Sequence, residues 1–166
     1  MTTNLSAEKL LIKPGEGQDI KGTIIKVRAG DLGNDFSIME AQIDPKQLLA
    51  PHMHDHEDQA VFVITGELEF EVGGEDGLRF TAGAGSYVIK PRGVSHCFWN
   101  LRSETARYIE LSGRSNFEDF VEDSEDDPSL VTTIKAKPKY GITFFPHRIP
   151  KLLKDNGLTS VVGVGD

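Results

Sequence analysis

The stretch Pro51–Gly66 reads PHMHDHEDQAVFVITG, with three histidines in five positions followed by acid and then by an apolar run. His52 and His54 are two positions apart, so on a strand both imidazoles leave the same face, with Cα atoms roughly 6.6 Å apart. Two rings on that baseline can converge on one ion at about 2.0–2.2 Å from each nitrogen. His56 would lie roughly 13 Å from His52 on a continuing strand, which predicts that it is exposed and not a ligand.

A further ligand must come from elsewhere in the chain, and the stretch GSYVIKPRGVSHCFWN (Gly85–Asn100) offers one. Its strand ends at Pro91, Gly93 permits a tight turn, and His96 opens the next strand. His96 is therefore the predicted third histidine of the site. His147 lies in FFPHRIP, among prolines, and is predicted to be structural or at the surface.

The two stretches together resemble the paired motifs of the cupin superfamily. The first motif is H-x-H, three or four residues, E, six residues, G, and its positions are taken here by His52, His54, Gln59 and Gly66. The second is G-x5-P-x-G-x2-H-x3-N, and its fixed positions are matched by Gly85, Pro91, Gly93, His96 and Asn100. The resemblance covers roughly residues 20–112 and is to small single-domain members of the quercetin-dioxygenase-like type.

The resemblance implies an all-β fold, a double-stranded β-helix (jelly-roll) cupin barrel, here with short C-terminal helices. It also implies one divalent transition metal (Fe, Ni, Mn, Cu or Zn) near the barrel centre. By position, His52, His54 and His96 are its ligands, and Gln59 takes the place of the acid. The alternative is a binding cavity in which these histidines only form hydrogen bonds.

Gln59 is the main departure from the motif, because an amide offers only a weak oxygen ligand or hydrogen bonds. It is the predicted catalytic position, yet it cannot act as the base that the motif's glutamate provides. Three neutral imidazoles would also leave the charge of the ion uncompensated by the protein, which favours an anionic ligand. Phe98 and Asn100 share the face of His96 on an alternating strand and are predicted to line the substrate pocket.

These features favour a metal-dependent cupin that binds a small organic substrate, of aromatic or anionic character, in a dioxygenase-type reaction. The first alternative is a non-oxidative enzyme of a biosynthetic pathway, such as an isomerase, cyclase, dehydratase or decarboxylase. The second is a non-catalytic ligand-binding cupin. The protein is therefore predicted, with these alternatives open, to be an oxidoreductase.

Short runs rich in Val, Ile, Phe and Thr, separated by turn residues, predict many short strands. In ELEFEV (Glu67–Val72), alternation places the apolar residues in the core and the three glutamates in solvent. The predicted strands are Thr23–Arg28, Phe36–Ile43, Ala60–Thr65, Glu67–Val72, Leu78–Thr81, Tyr87–Lys90, His96–Asn100 and Ala106–Leu111. This pattern divides the chain into an N-terminal extension (1–19), the barrel (20–112) and a C-terminal helical extension with a tail (113–166).

Two helices are predicted in the C-terminal extension. A capping box at Ser115–Glu118 opens the first, and the acidic run Glu118–Asp127 is predicted to be a solvated helix end and loop. The second lies around Lys151–Asp155, between Pro150 and Gly157.

Composition limits the remaining possibilities. The formal net charge of −8 and the lack of a basic patch argue against nucleic acid as a partner. The sequence shows neither a membrane span nor a leader, and its single cysteine, Cys97, cannot form an intrachain disulfide, so a cytoplasmic protein is expected. Cys97 itself is expected to fill a small space in the core. Besides the small-molecule substrate, the resemblance implies a homodimer.

Overall fold

Twelve short strands and three helices form the protein in a computed structural model that describes residues 6–114, 117–126 and 136–163. The strands are β1 (Gln18–Ile20), β2 (Thr23–Val27), β3 (Phe36–Ile43), β4 (Gln47–His54), β5 (Gln59–Thr65), β6 (Glu67–Val72), β7 (Leu78–Gly83), β8 (Tyr87–Lys90), β9 (His96–Trp99), β10 (Ala106–Gly113), β11 (Ile142–Phe144) and β12 (Ser160–Val162). The helices are α1 (Ala7–Leu10), α2 (Phe117–Asp126) and α3 (Ile149–Asn156), with 3-10 turns at Ala29–Leu32 and Pro146–Arg148 and a helical segment at 136–140.

The strands form two sheets. The first sheet has the order β1-β2-β3-β10-β5-β8, and the second has the order β11-β4-β9-β6-β7, with β12 also paired to β4. All pairs are antiparallel except the parallel pair of β12 and β4. This jelly-roll arrangement confirms the predicted fold class.

The main core lies between the two sheets, because alternate residues of each strand point inward. It contains buried side chains from both sheets, including Val61 and Val63 of β5, Phe70 of β6 and Phe98 of β9. Two smaller clusters hold the C-terminal helices on this frame. Phe120 of α2 packs beside Ile142, and Leu152 of α3 packs on the outer face of β9.

The predicted strands β3, β6 and β8 have the observed bounds, and the others shift by one or two residues. Strands β1, β4, β11 and β12 were not among the predicted strands. β1, β11 and β12 have three residues each, which are too few to show periodicity, whereas β4 has eight residues and was missed. The prediction for ELEFEV is wrong at Glu71, which is buried between Arg79 and Arg148. Arg148 comes from the turn before α3, so only tertiary packing decides the burial of Glu71.

The predicted C-terminal helices are present. Helix α3 has Pro150 in its first turn, and Gly157 follows it in the left-handed conformation, as the sequence indicates. Helix α2 carries the acidic run, in which Glu118 is buried and accepts a hydrogen bond from the Ala29 amide, contrary to the predicted solvated character. Ser115 of the predicted capping box lies outside the described residues, as does Asp127. Within the described ranges, the chain has no helix that is both long and apolar enough to cross a membrane.

Candidate metal centre

A bulge in β4 sets the direction of the first two histidines. Leu49 is opposite Phe98 and His52 is opposite His96, so three steps along β4 match two steps along β9. The extra residue lies at Ala50–Pro51, and it allows both Leu49 and His52 to face the interior. Proline suits this position because it has no amide proton to donate to the ladder.

His52 and His96 face each other across the pair of β4 and β9. The Nδ1 atom of His52 lies 2.7 Å from the carbonyl oxygen of Ala50, and that of His96 lies 3.1 Å from the carbonyl oxygen of Val94. A carbonyl only accepts, so both Nδ1 atoms carry the proton and donate. Both Nε2 atoms are then lone-pair acceptors, and they lie 3.2 Å apart.

His54 completes the group and has a carboxylate behind it. Its Nδ1 atom lies 2.8 Å from Oε2 of Glu57, and both side chains are almost fully buried. The two groups are in close contact, but this contact does not have the geometry of a hydrogen bond, so it does not by itself fix the tautomer of His54. Among the described residues, Nε2 of His54 has no hydrogen-bond partner.

The three histidines can therefore offer nitrogen lone pairs to one point. Ligand nitrogens of His52, His54 and His96 all lie within 4.8 Å of one another, and all three rings are buried. Two nitrogens on one ion at 2.0–2.1 Å would be about 3–3.4 Å apart, which matches the separation of the His52 and His96 Nε2 atoms. This arrangement could hold a metal ion.

Burial keeps these histidines neutral. It is the largest cause that lowers the pKa of each ring, and for His54 the value falls to about 3. The positive charge of Lys90 lowers the pKa of all three further. Neutral imidazole is the form that binds a metal, so the rings are ready to act as ligands over the whole neutral range.

The opposite wall of the interior is a polar row across the first sheet. Gln59 of β5 is in register with Lys90 of β8 on one side and with Ser112 of β10 on the other, and Ser112 is in register with Ser37 of β3. All four side chains are buried. The row continues into Glu110, two positions before Ser112 and on the same face of β10.

Lys90 and Glu110 form an ion pair inside the protein. The Lys90 Nζ atom lies 2.8 Å from both carboxylate oxygens of Glu110, and the lysine side chain is 1% exposed. Nζ also lies 5.7 Å from the centre of the Phe98 ring. Burial lowers the pKa of Lys90 and raises that of Glu110, while the attraction between the two groups opposes both shifts.

Comparison with known proteins relates part of the chain to a known family. Residues 39–112 match the family described as Cupin domain, and this range contains all three histidines and Gln59. The matched range is a little less than half of the 166 residues of the chain. The match and the double-stranded β-helix fold support membership of the cupin superfamily, as the motifs predicted. No curated protein sequence matches the chain significantly.

Several solved structures resemble this one in fold. A conserved protein with a double-stranded β-helix domain from Klebsiella pneumoniae is 23% identical, with a TM-score of 0.50 over 69% of this chain and 92% of that one. A putative sugar phosphate isomerase from Acidithiobacillus ferrooxidans is 21% identical, with a TM-score of 0.52 over 65% of this chain and 77% of that one. KdgF from Halomonas sp. is 21% identical, with a TM-score of 0.51 over 63% of this chain and 92% of that one. At these identities the likeness concerns the fold alone.

Gln59 occupies the acid position of the cupin motif and is 3% exposed. Its Nε2 atom donates a hydrogen bond to the Ser112 hydroxyl at 3.0 Å, which fixes the amide. Its Oε1 atom has no hydrogen-bond partner among the described residues. An oriented, unpartnered amide oxygen is a possible weak ligand.

The other residues of interest from the sequence lie in different surroundings. Phe98 packs in the apolar core against Phe70 and Tyr108. The Asn100 amide group bonds to the backbone, donating to the carbonyls of Ile43 and Glu104 and accepting from the Arg102 amide. Contact of Phe98 or Asn100 with a substrate stays a prediction.

The predictions for the remaining histidines and for the cysteine are confirmed. His56 and His147 are exposed and lie outside the histidine group. Cys97 is fully buried on the opposite face from His96, and burial raises the pKa of its thiol to about 12.

The sequence interpretation missed three buried charged residues of the interior, Glu57, Lys90 and Glu110. One signal was available for two of them. In YVIK, Lys90 is two positions after the inward residue Val88, so both face the interior. In ARYIELSG, Glu110 is likewise two positions after the inward residue Tyr108. A charge at an inward position of an alternating strand indicates a functional interior.

Aromatic side chains from the C-terminal extension cover the histidines. The Phe117 ring of α2 lies 5.1 Å from the His54 ring, and the Phe144 ring of β11 lies 5.5 Å from the His52 ring. An open groove of about 370 Å³ lies beside the polar row, with Gln59 and Ser112 in its lining. Aromatic rings thus cap His52 and His54, and the groove lies at Gln59 and Ser112 and has none of the three histidines in its lining.

Proposed function

We propose that the protein is a metal-dependent cupin enzyme in which His52, His54 and His96 hold one divalent transition metal. Imidazole ligands suit Fe, Cu, Ni and Zn. When bound, such an ion orients a substrate and stabilises negative charge that develops on it. The substrate in this proposal is a small organic anion.

The observation that carries the proposal is the pair of Nε2 atoms of His52 and His96, 3.2 Å apart. Both are lone-pair acceptors, because both Nδ1 atoms donate to backbone carbonyls. Two acceptors at this distance repel each other unless a cation lies between them. The Nε2 atom of His54 is also buried and has no hydrogen-bond partner among the described residues, which supports the proposal that the same cation binds there.

Charge near the centre favours an anionic substrate. The histidines are neutral and Gln59 adds no charge, so the motif contributes nothing against the two positive charges of the ion. Glu57, behind His54, supplies one negative charge. We therefore expect a residual positive charge, which a single anionic group of a substrate would neutralise.

The reaction that we favour is a dioxygenase-type oxidation of the bound anion. Three protein ligands leave coordination positions for both a substrate and a second small molecule. Gln59, held by Ser112, can donate or accept a hydrogen bond but cannot remove a proton. The substrate in this proposal therefore arrives already ionised.

A non-oxidative reaction is the second candidate, and the buried pair of Lys90 and Glu110 favours it. A buried lysine in contact with a buried carboxyl group is suitable for proton transfer to or from a substrate. KdgF and a putative sugar phosphate isomerase are among the structures with a similar fold. A proton-transfer reaction would proceed without oxygen.

Metal analysis tests the centre. The wild-type protein, loaded and then desalted, should retain about one equivalent of metal, and His96→Ala should retain little, because it removes one of three ligands. His56→Ala is the matched control, since His56 belongs to the same segment but is exposed, and it should retain the wild-type amount. Equal retention by wild type and His96→Ala would refute the centre.

Oxygen uptake separates the reactions. Metal-loaded protein should be incubated with a panel of small organic anions under air and under nitrogen. Oxygen consumption that accompanies loss of substrate supports the oxidation. Turnover at the same rate under nitrogen would support the second candidate, and binding without turnover for every anion would indicate a ligand-binding protein.

A further inference from the structure

The ion pair of Lys90 and Glu110 is costly for the fold alone. Burial removes both groups from water, and replacing a buried ion pair by apolar side chains of similar volume is often neutral or stabilising. The pair also lies on the inward face, within the polar row and away from the surface. Its position therefore points to a role in the interior site.

The Lys90 ammonium has more donors than its partner uses. It carries three N–H groups, and the two contacts at 2.8 Å are both to the carboxylate of Glu110. Among the described residues, no other hydrogen-bond acceptor contacts Nζ. At least one buried N–H group is thus left for a ligand.

The Lys90 ammonium lies close enough to the histidines for its charge to lower the pKa of all three rings. Nζ lies 5.7 Å from the ring centre of Phe98, which is the next inward residue after His96 on β9. Lys90 is also directly opposite Gln59, at the acid position of the motif. The ammonium and the histidine group therefore face one interior space from opposite sheets.

The balance of charge defines the ligand that fits this space. Lys90 and Glu110 together carry no net charge, wherever their shared proton resides. With Glu57 ionised and a divalent ion on the histidines, the interior has one net positive charge. A monoanion neutralises it, and a dianion would leave a buried negative charge.

We propose that Lys90, held by Glu110, is the specificity-determining residue that binds the carboxylate of a small monocarboxylic acid while another oxygen of that acid lies at the histidine centre. This inference rests on the proposed metal centre and names its substrate class. A 2-hydroxy or 2-oxo acid has the required pair of oxygens. Glu110 acts as a positioning residue, because it fixes Nζ and leaves the remaining N–H group to the substrate.

The experiment compares wild type with the double variant Lys90→Met, Glu110→Leu. This variant keeps the net charge and replaces the pair by apolar side chains of similar length, whereas either single change would leave one buried charge alone. Lys151→Met with Asp155→Asn is the control, because it removes an exposed ion pair. Each protein is loaded with Co(II), its metal content is measured, and its folding is checked by thermal melting.

Glycolate and neutral ethylene glycol are then titrated into each protein, with calorimetry and the visible Co(II) spectrum as readouts. A charged hydrogen bond of this kind is equivalent to about a ten-fold to hundred-fold change in affinity. The double variant should bind glycolate more weakly by that factor, with unchanged metal content, while ethylene glycol binds equally to both. The control should match wild type.

Equal glycolate affinity in wild type and the double variant would overturn the inference and leave the metal centre intact. Loss of cobalt from the double variant would also overturn it, because the pair would then support the centre instead of the ligand. A wild-type protein that binds no metal would refute the proposed function itself, and this inference with it.

Discussion

Gln59 is the residue on which the chemistry depends most, because it replaces an acid at a fixed motif position. Its amide is oriented by Ser112, and its Oε1 atom is unpartnered among the described residues. If that oxygen contributes to the centre, Gln59→Glu should tighten metal binding, because a carboxylate adds a negative charge at the same place. Competition with a chelator measures the affinity. Gln42→Glu, at an exposed position, is the control.

Unchanged metal affinity in Gln59→Glu would mean that position 59 does not point at the ion. The side chain would then serve only to hold Ser112 and the adjacent strand. In either case the fold should persist, because the new side chain has nearly the same shape as the old one.

Glu57 is the second decisive residue, and the motif does not contain it. A carboxylate behind a metal-binding histidine fixes the tautomer of the ring and makes it a stronger ligand, and its loss typically lowers metal affinity 10–100-fold. Glu57→Gln should therefore weaken metal binding by about that factor, as measured with the same chelator competition. Asp58→Asn is the matched control, since Asp58 is the exposed neighbour that pairs with Arg92. Equal losses in the two variants would contradict a specific role for Glu57.

At the scale of secondary structure, the sequence predicted those strands that turn residues bound on both sides. This local signal gives the bounds of β3, β6 and β8 from the chain alone, and β6 also alternates in polarity. The bulge at Ala50–Pro51 could not be predicted, because it is defined only by the partner strand. The site divides in the same way. The histidines follow from local spacing, whereas the pairing of Lys90 with Glu110 depends on the register of separate strands.

The turn before α3 offers a test of tertiary packing. Arg148 ion-pairs with the buried Glu71 of β6, and Arg79 contacts the same carboxylate from β7. Arg148→Ala should lower the free energy of unfolding by about 1.5–3 kcal/mol, the contribution of a charged hydrogen bond to a buried group. Urea denaturation measures the change. Lys151→Ala, which breaks only exposed pairs of α3, should change the stability by less than about 1 kcal/mol.

If the two variants lose the same stability, the Glu71 contact does not hold the C-terminal segment on the sheet. If the loss is specific to Arg148→Ala, the burial of Glu71 is explained by that contact. The alternation in ELEFEV then remains a correct guide to the strand, with one outward residue covered by a later part of the chain.

On the scale of the whole molecule, the interior is divided between packing and chemistry. One end of the space between the sheets is apolar, around Phe70 and Phe98, and the other end holds the histidines and the polar row. The buried polar groups cost stability that the apolar end must offset. The homodimer and the cytoplasmic location inferred from the sequence stay predictions.

That cost should appear as a dependence of stability on pH. In the metal-free folded protein, burial holds the pKa of His54 at about 3 and lowers those of His52 and His96, whereas unfolded histidines titrate near 6.5. Below about pH 6.5 the unfolded state binds more protons, so stability falls as pH falls through the interval down to the folded pKa. Each such histidine contributes a slope of about 1.4 kcal/mol per pH unit.

Urea denaturation of chelator-treated protein between pH 7 and pH 4 measures this slope. His54→Phe should reduce it by about 1.4 kcal/mol per pH unit, because one unfolded-state proton acceptor is removed. His147→Gln removes an exposed histidine and should leave the slope unchanged. Equal slopes in wild type and His54→Phe would contradict this expectation, because they would show that His54 takes up its proton in the folded protein as readily as in the unfolded chain.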